Sequence, residues 1–185
     1  MSKLFQYGGI AAGIVLIAFG AGALFMGVQG RGEVRDNLKR EQIVGTPDMA
    51  KSVANKQVLT GAQAKAFAKG MRKRALEATG GQTYSQMGRY LTAAGKPTND
   101  EKAAAVDKQT GKPVENGARN LWVTETALTT ALNTAFFAES VAMFAIVMGF
   151  ALLLVGGGFL VLTLRVLRRE STQPVRHPRA AVAAS

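Results

Sequence analysis

The chain contains no cysteine, which excludes a disulfide, a thiolate metal site and a cysteine nucleophile and leaves the redox compartment open. Histidine occurs once, at His177, beside Arg176 and Pro178, where a lone imidazole reads as a solvated group. No P-loop, GxSxG elbow, Ser-His-Asp set or metal-ligand cluster is written in the sequence. No catalytic residue and no cofactor are therefore expected, and no small-molecule substrate is evident. Proline is absent from Asn120 to Arg169, so nothing there forces a helix to break. Charge is absent from two apolar blocks, Tyr7–Val28 and Ser140–Leu164.

Those blocks would be roughly 33 and 37 Å long as helices, and about 20 apolar residues suffice to cross a bilayer core. They read as transmembrane helices. The rest of the chain is too polar to wrap two such helices on all sides. Lys3 and the Ala21-Gly22-Ala23 triplet would also suit a signal peptide. The apolar run continues through Leu24, Phe25, Met26 and Val28, which favours a retained anchor. Neither block holds an ionisable residue at mid-membrane, which argues against a proton path or ion site made by this chain alone.

Arg165, Arg168, Arg169, Arg176 and Arg179 follow the second block against one acid, Glu170, while Asn120–Glu139 before it holds no Lys or Arg. The positive-inside rule places this tail in the cytoplasm. The first block alone would prefer the opposite orientation, because Arg31, Arg35, Lys39 and Arg40 follow it. Those charges are mixed with acids in a long segment, where the rule weakens. The expected organisation is a short cytoplasmic N-terminus (1–6), a first span (7–28), an extracytoplasmic region (29–139), a second span (140–164) and a basic cytoplasmic tail (165–185), in the plasma membrane.

What is present outside the blocks predicts a mainly α protein. The membrane hairpin has long helices that extend beyond the bilayer. The polar run VTETALTTALNTAFFAE continues the second span outward, with Glu125, Thr129, Leu132, Phe136 and Glu139 on one helical face and Leu121, Leu128 and Ala135 on an adjoining stripe. The first span continues outward through Val34 and Leu38 and is expected to stop at Gly45. Stalks at 29–44 and 120–139 then flank a small, mostly helical domain, 45–119. Its expected elements are a helix start at Thr46-Pro47-Asp48, a helix from the box-like Thr60-Gly-Ala-Gln63 to about Thr79, a short helix from about Tyr84 to Ala94, and a candidate β-hairpin near 104–116.

Several residues stand out as candidate contacts. Arg31 and Glu139 lie just outside the two blocks and are a candidate ion pair. Gly9, Gly13, Gly22, Gly156, Gly157 and Gly158 offer smooth helix-contact surface. Lys65, Lys69, Arg72 and Lys73 form a basic face beside the Phe67–Met71–Ala75 stripe. That face fits attachment to anionic lipid or wall polymer, or simple solvation over a packed apolar side. The outer segment 31–139 carries 17 basic and 11 acidic residues, a balance of +6. Nucleic acid is not an expected partner outside a cell. Arg165, Arg168 and Arg169 serve topology and contact with anionic inner-leaflet lipid.

At GTPDM (45–49), RKRALEATGGQTY (72–84), GKPVENGARNLWVTETALTTALNTAFFAE (111–139) and the second span, the chain resembles a group of small actinobacterial two-span membrane proteins. Members often carry the label aromatic ring-opening dioxygenase. Extradiol chemistry needs an open iron site, typically two His and one carboxylate, which one tail histidine does not supply. The resemblance implies an architecture and no activity. Three functions are expected in descending order: a non-enzymatic accessory or scaffolding subunit of a larger membrane complex, partnered by lipid and by other integral subunits or by itself; an envelope module gripping anionic lipid or wall polymer; and a homo-oligomeric pore.

Overall fold

The computed structural model describes residues 2–171, with side chains between 7 and 165. Two long helices dominate, α1 (Ser2–Arg40) and α3 (Gly117–Ser171), with an 18-residue helix α2 (Gly61–Ala78) between them. A small antiparallel sheet pairs β1 (Tyr90–Leu91) with β2 (Pro97–Thr98), in register Tyr90 to Thr98 and Leu91 to Pro97. The described residues divide into two compact units, 2–28 with 144–171 and 29–143. Both α1 and α3 contribute to each.

The first unit pairs the apolar parts of α1 and α3. Each long helix is apolar enough to cross a membrane, and only 11% of its most apolar stretch is buried. A core helix of a soluble protein would be mostly covered. Glycine sets the pairing. A Cβ on Gly13 would lie 2.9 Å from the Gly156 carbonyl, and one on Gly20 would lie 2.8 Å from that of Gly149. The reverse approaches are equally close, 2.8 Å in both cases. Both pairs repeat at seven residues along each helix, the spacing that keeps one seam facing a partner.

The second unit is built on α2. Thr60 caps it by accepting the Gln63 amide at 3.2 Å. Gln63 Oε1 reaches back to the Leu59 amide at 2.9 Å, one residue before the usual capping-box donor. Beyond Ala78, Gly80 and Gly81 take positive φ, as a helix stop requires. Val53, Val58, Ala64 and Ala68 form the core with Leu38 of α1 and Leu132 of α3.

Three local expectations are corrected. Thr46-Pro47-Asp48 begins a turn, and Thr46 and Asp48 turn their side chains to Arg74. The helix expected from Tyr84 to Ala94 is a 3-10 turn at Tyr84–Gln86 followed by β1. Gly88 is the reason: its Cα packs on β2, and a Cβ there would stand 2.5 Å from the Thr98 amide. The hairpin near 104–116 reduces to a turn with one isolated bridge, Val106 to Pro113. Across that turn the Val114 amide donates to the Ala105 carbonyl at 2.8 Å and the Asp107 amide to the Lys112 carbonyl at 2.9 Å. The segment also bonds to β1, from the Leu91 amide to the Val114 carbonyl at 3.0 Å and from the Ala105 amide to the Leu91 carbonyl at 2.8 Å. In addition, α1 ends at Arg40, where Gln42 takes φ 51°, and not at Gly45. Gly45 is needed for packing instead, since a Cβ would collide with the Val53 carbonyl.

Candidate functional site: an apolar groove and its carboxylate clamps

Within the second unit, α2 is fastened to α3 by two glutamates. Near its start, Glu139 Oε2 accepts the Gly61 amide at 2.5 Å while Oε1 lies 3.4 Å from Arg31 Nη2. A free amide and the positive end of a helix dipole favour a carboxylate there. Gly61 permits the approach, because a Cβ would sit 2.7 Å from the Phe136 Cα. About three turns along α2, Glu125 is 3% exposed and its Oε2 lies 3.0 Å from Arg72 Nη1. The same guanidinium stacks 3.9 Å over the ring of Trp122, a cation–π contact. Trp122 is 2% exposed and donates its indole N–H to the Gln82 carbonyl at 2.9 Å and to Thr79 Oγ1 at 3.2 Å.

On its other face, α2 carries Arg74, which meets Asp48 Oδ1 at 2.5 Å. This contact and the Thr46 hydroxyl hold the Asp48 carboxyl well below the ordinary carboxylate range. Asp107 is likewise lowered, chiefly because it accepts the amides of Thr110 and Gln109.

Between these fastenings lies an apolar groove of about 680 Å³. Val34 and Leu38 of α1 form one wall and Phe67 and Met71 of α2 the other. Leu128, Ala131, Ala135 and Ala138 of α3 make the floor. A shallower hollow of about 340 Å³ continues from Met71, Arg74 and Leu128 toward Leu121.

The candidate contacts of the sequence fall out unevenly. Arg31 and Glu139 are together. Gly9, Gly13 and Gly156 face the other helix of the pair, and a Cβ on Gly9 would meet Thr163 Oγ1 at 2.6 Å. Gly22, Gly157 and Gly158 have open space around them. The basic face is split. Arg72 is taken up by Glu125 and Trp122, Lys65 lies 4.1 Å over the Phe136 ring, Lys73 pairs with Glu77 at 3.7 Å, and Lys69 is exposed. Arg165 is exposed, while Arg168, Arg169 and His177 lie outside the described side chains. Among the described residues no three His, Asp or Glu side chains gather as a metal site would require.

No protein family, curated protein or solved structure matches this chain.

Sequence reasoning missed Gly20, Gly149 and the Glu125–Arg72–Trp122 stack. The two glycines are legible as small residues seven apart, Gly13/Gly20 and Gly149/Gly156, a longer spacing than the four-residue Gly9–Gly13 pattern. Nothing in the sequence pairs Arg72 with a glutamate 53 residues away.

Proposed function

We propose that this is a two-span plasma-membrane protein, with both termini cytoplasmic and the α2-bearing unit outside. Its task is that of a non-enzymatic accessory or scaffolding subunit in a larger membrane assembly. The observation that carries the proposal is the division of labour among the glycines of the helix pair. Gly13, Gly20, Gly149 and Gly156 are consumed between α1 and α3, whereas Gly22, Gly157 and Gly158 lie open on the remaining surface. Small residues on an exposed membrane-helix face let another helix approach closely. Large apolar side chains flank them, Phe19 at 70% and Leu154 at 77% exposure.

Binding of the envelope through the basic face is the weaker reading, because Arg72 is already committed to Glu125. Gentle detergent extraction from native membranes, followed by affinity isolation, complex-mass measurement and mass spectrometry, tests the proposal. Stoichiometric recovery with other integral proteins is the expected result. Recovery as a free monomer, or in the soluble fraction, would overturn it.

A further inference from the structure

We propose that the groove between α1, α2 and α3 takes up one aliphatic chain of a membrane lipid. The inference rests on the membrane location proposed above and not on the accessory role.

The floor is one face of α3. Leu128, Ala131, Ala135 and Ala138 follow at steps of three, four and three, which align on a helix. Of the six α3 residues that line the groove, these four with Leu132 and Thr134, three are alanines, so the floor lies low along them, and a leucine at those places would fill it. Leu128 remains 49% exposed. Such a strip left in water forgoes about 25 cal/mol for each Å² of apolar surface that an apolar guest would cover.

Size selects the guest. The volume of about 680 Å³ falls within the roughly 300–1,000 Å³ of small-molecule sites. The ten steps from Leu128 to Ala138 rise about 15 Å, half of the roughly 30 Å hydrocarbon core and thus the depth that one leaflet's chains fill. A helix is about 10–12 Å across, so the same length of a partner helix would need roughly twice the volume. Asn37, Glu41 and Thr134 border the groove as exposed residues, which suits a guest recognised by its chain and not by its head group.

Position supplies the source. Ala138 stands two residues before Ser140, where the uncharged run of α3 begins, and Val34 stands six residues after Val28, where that of α1 ends. Along each helix, the nearest groove-lining residue thus lies within two turns of the apolar run.

The test uses the full chain in phosphatidylglycerol and phosphatidylethanolamine vesicles, with p-benzoylphenylalanine replacing Leu128 or, as a control, the exposed Asn133 on the far side of α3. Irradiation and intact-mass measurement should show one lipid adduct per chain at position 128 and none at 133. Ala131→Leu combined with Ala135→Leu should remove most of the adduct at 128 while the fluorescence of Trp122 stays native. Absence of a lipid adduct at 128, equal adducts at both positions, or an adduct with the mass of a second polypeptide would overturn the inference. The comparison of 128 with 133 stands without the double variant should that variant misfold. A chain that fails to enter vesicles at all would instead refute the membrane location.

Discussion

The two units of this chain are held by different physics. In the helix pair the contacts are those of small residues, Gly13 on Gly156 and Gly20 on Gly149, with backbone nearly touching backbone. Affinity there comes from close van der Waals fit. In the α2 unit, apolar packing is reinforced by ionic and hydrogen-bonded fastenings at Glu139, Glu125 and Asp48. A close fit fails when a side chain grows. A fastening fails when one partner is removed and the other is left without it. The same two helices thus answer to opposite kinds of mutation at their two ends.

The largest effect should come from the most buried fastening point. Trp122→Ala removes a side chain that fills the α2–α3 junction and supports Arg72, and should cost about 3–5 kcal/mol in the α2 unit. Hydrogen exchange should show early opening of α2 while the amides of the helix pair stay protected. Equal loss of protection in both units would erase the distinction between them.

Next is the converse change. Gly20→Leu would drive a side chain into the Gly149 carbonyl and should cost about 1–3 kcal/mol. Gly158→Leu, in open space, should be close to neutral. Since Trp122 is the single tryptophan, its fluorescence follows the α2 unit, and thermal scans by far-ultraviolet circular dichroism follow total helix. Gly20→Leu should alter the helix melt and leave the tryptophan signal native at low temperature.

A smaller loss is expected at Glu139. Glu139→Arg removes the acceptor for the Gly61 amide and reverses the Arg31 pair, together worth about 1–3 kcal/mol. The double reversal with Arg31→Glu restores an opposite-charge pair but gives Gly61 no acceptor. Chemical denaturation followed through Trp122 should therefore show partial recovery only. Full recovery would mean that the Gly61 bond contributes nothing.

The smallest effect concerns acid. The Asp48 carboxyl is depressed by Arg74 and Thr46. Its contribution is complete above the unfolded carboxyl value of about 3.9 and fades as pH falls from there toward the lower folded value. Asp48→Asn should flatten the acid limb of the denaturation profile below about pH 4 without changing stability near neutrality by much, because the pair is exposed. An unchanged acid limb would remove Asp48 as a contributor.

Periodicity made the long elements legible. The polar face Glu125–Thr129–Leu132–Phe136–Glu139 is the partly or fully buried face of α3, and the Thr60 cap and the Gly80-Gly81 stop bound α2. Segments whose form depends on distant atoms were not legible. Met87, Tyr90 and Leu91 have helical spacing, yet Gly88 must fit against Thr98 and the Asn116 side chain donates to the Gly88 carbonyl at 2.9 Å. Those tertiary demands outweigh local propensity. Thr46-Pro47-Asp48 carries helix-start residues, but its hydroxyl and carboxylate are spent on Arg74. The groove escaped notice because its floor of alanines reads in sequence as filler and acquires meaning only once α2 leaves that face uncovered.

Glu139 joins partners that are made at very different times. Arg31 precedes it by 108 residues and Gly61 by 78. At a synthesis rate of about 5–20 residues per second, Arg31 waits roughly 5–20 s for its carboxylate. During that interval α2 can coil on its own, but its first amide has no acceptor from α3 and Val53 and Val58 have no Leu132 to rest on. The 29–143 unit thus cannot close until residue 139 has been made, and a nascent chain stalled before it would present an unfinished apolar surface to whatever quality control surrounds it.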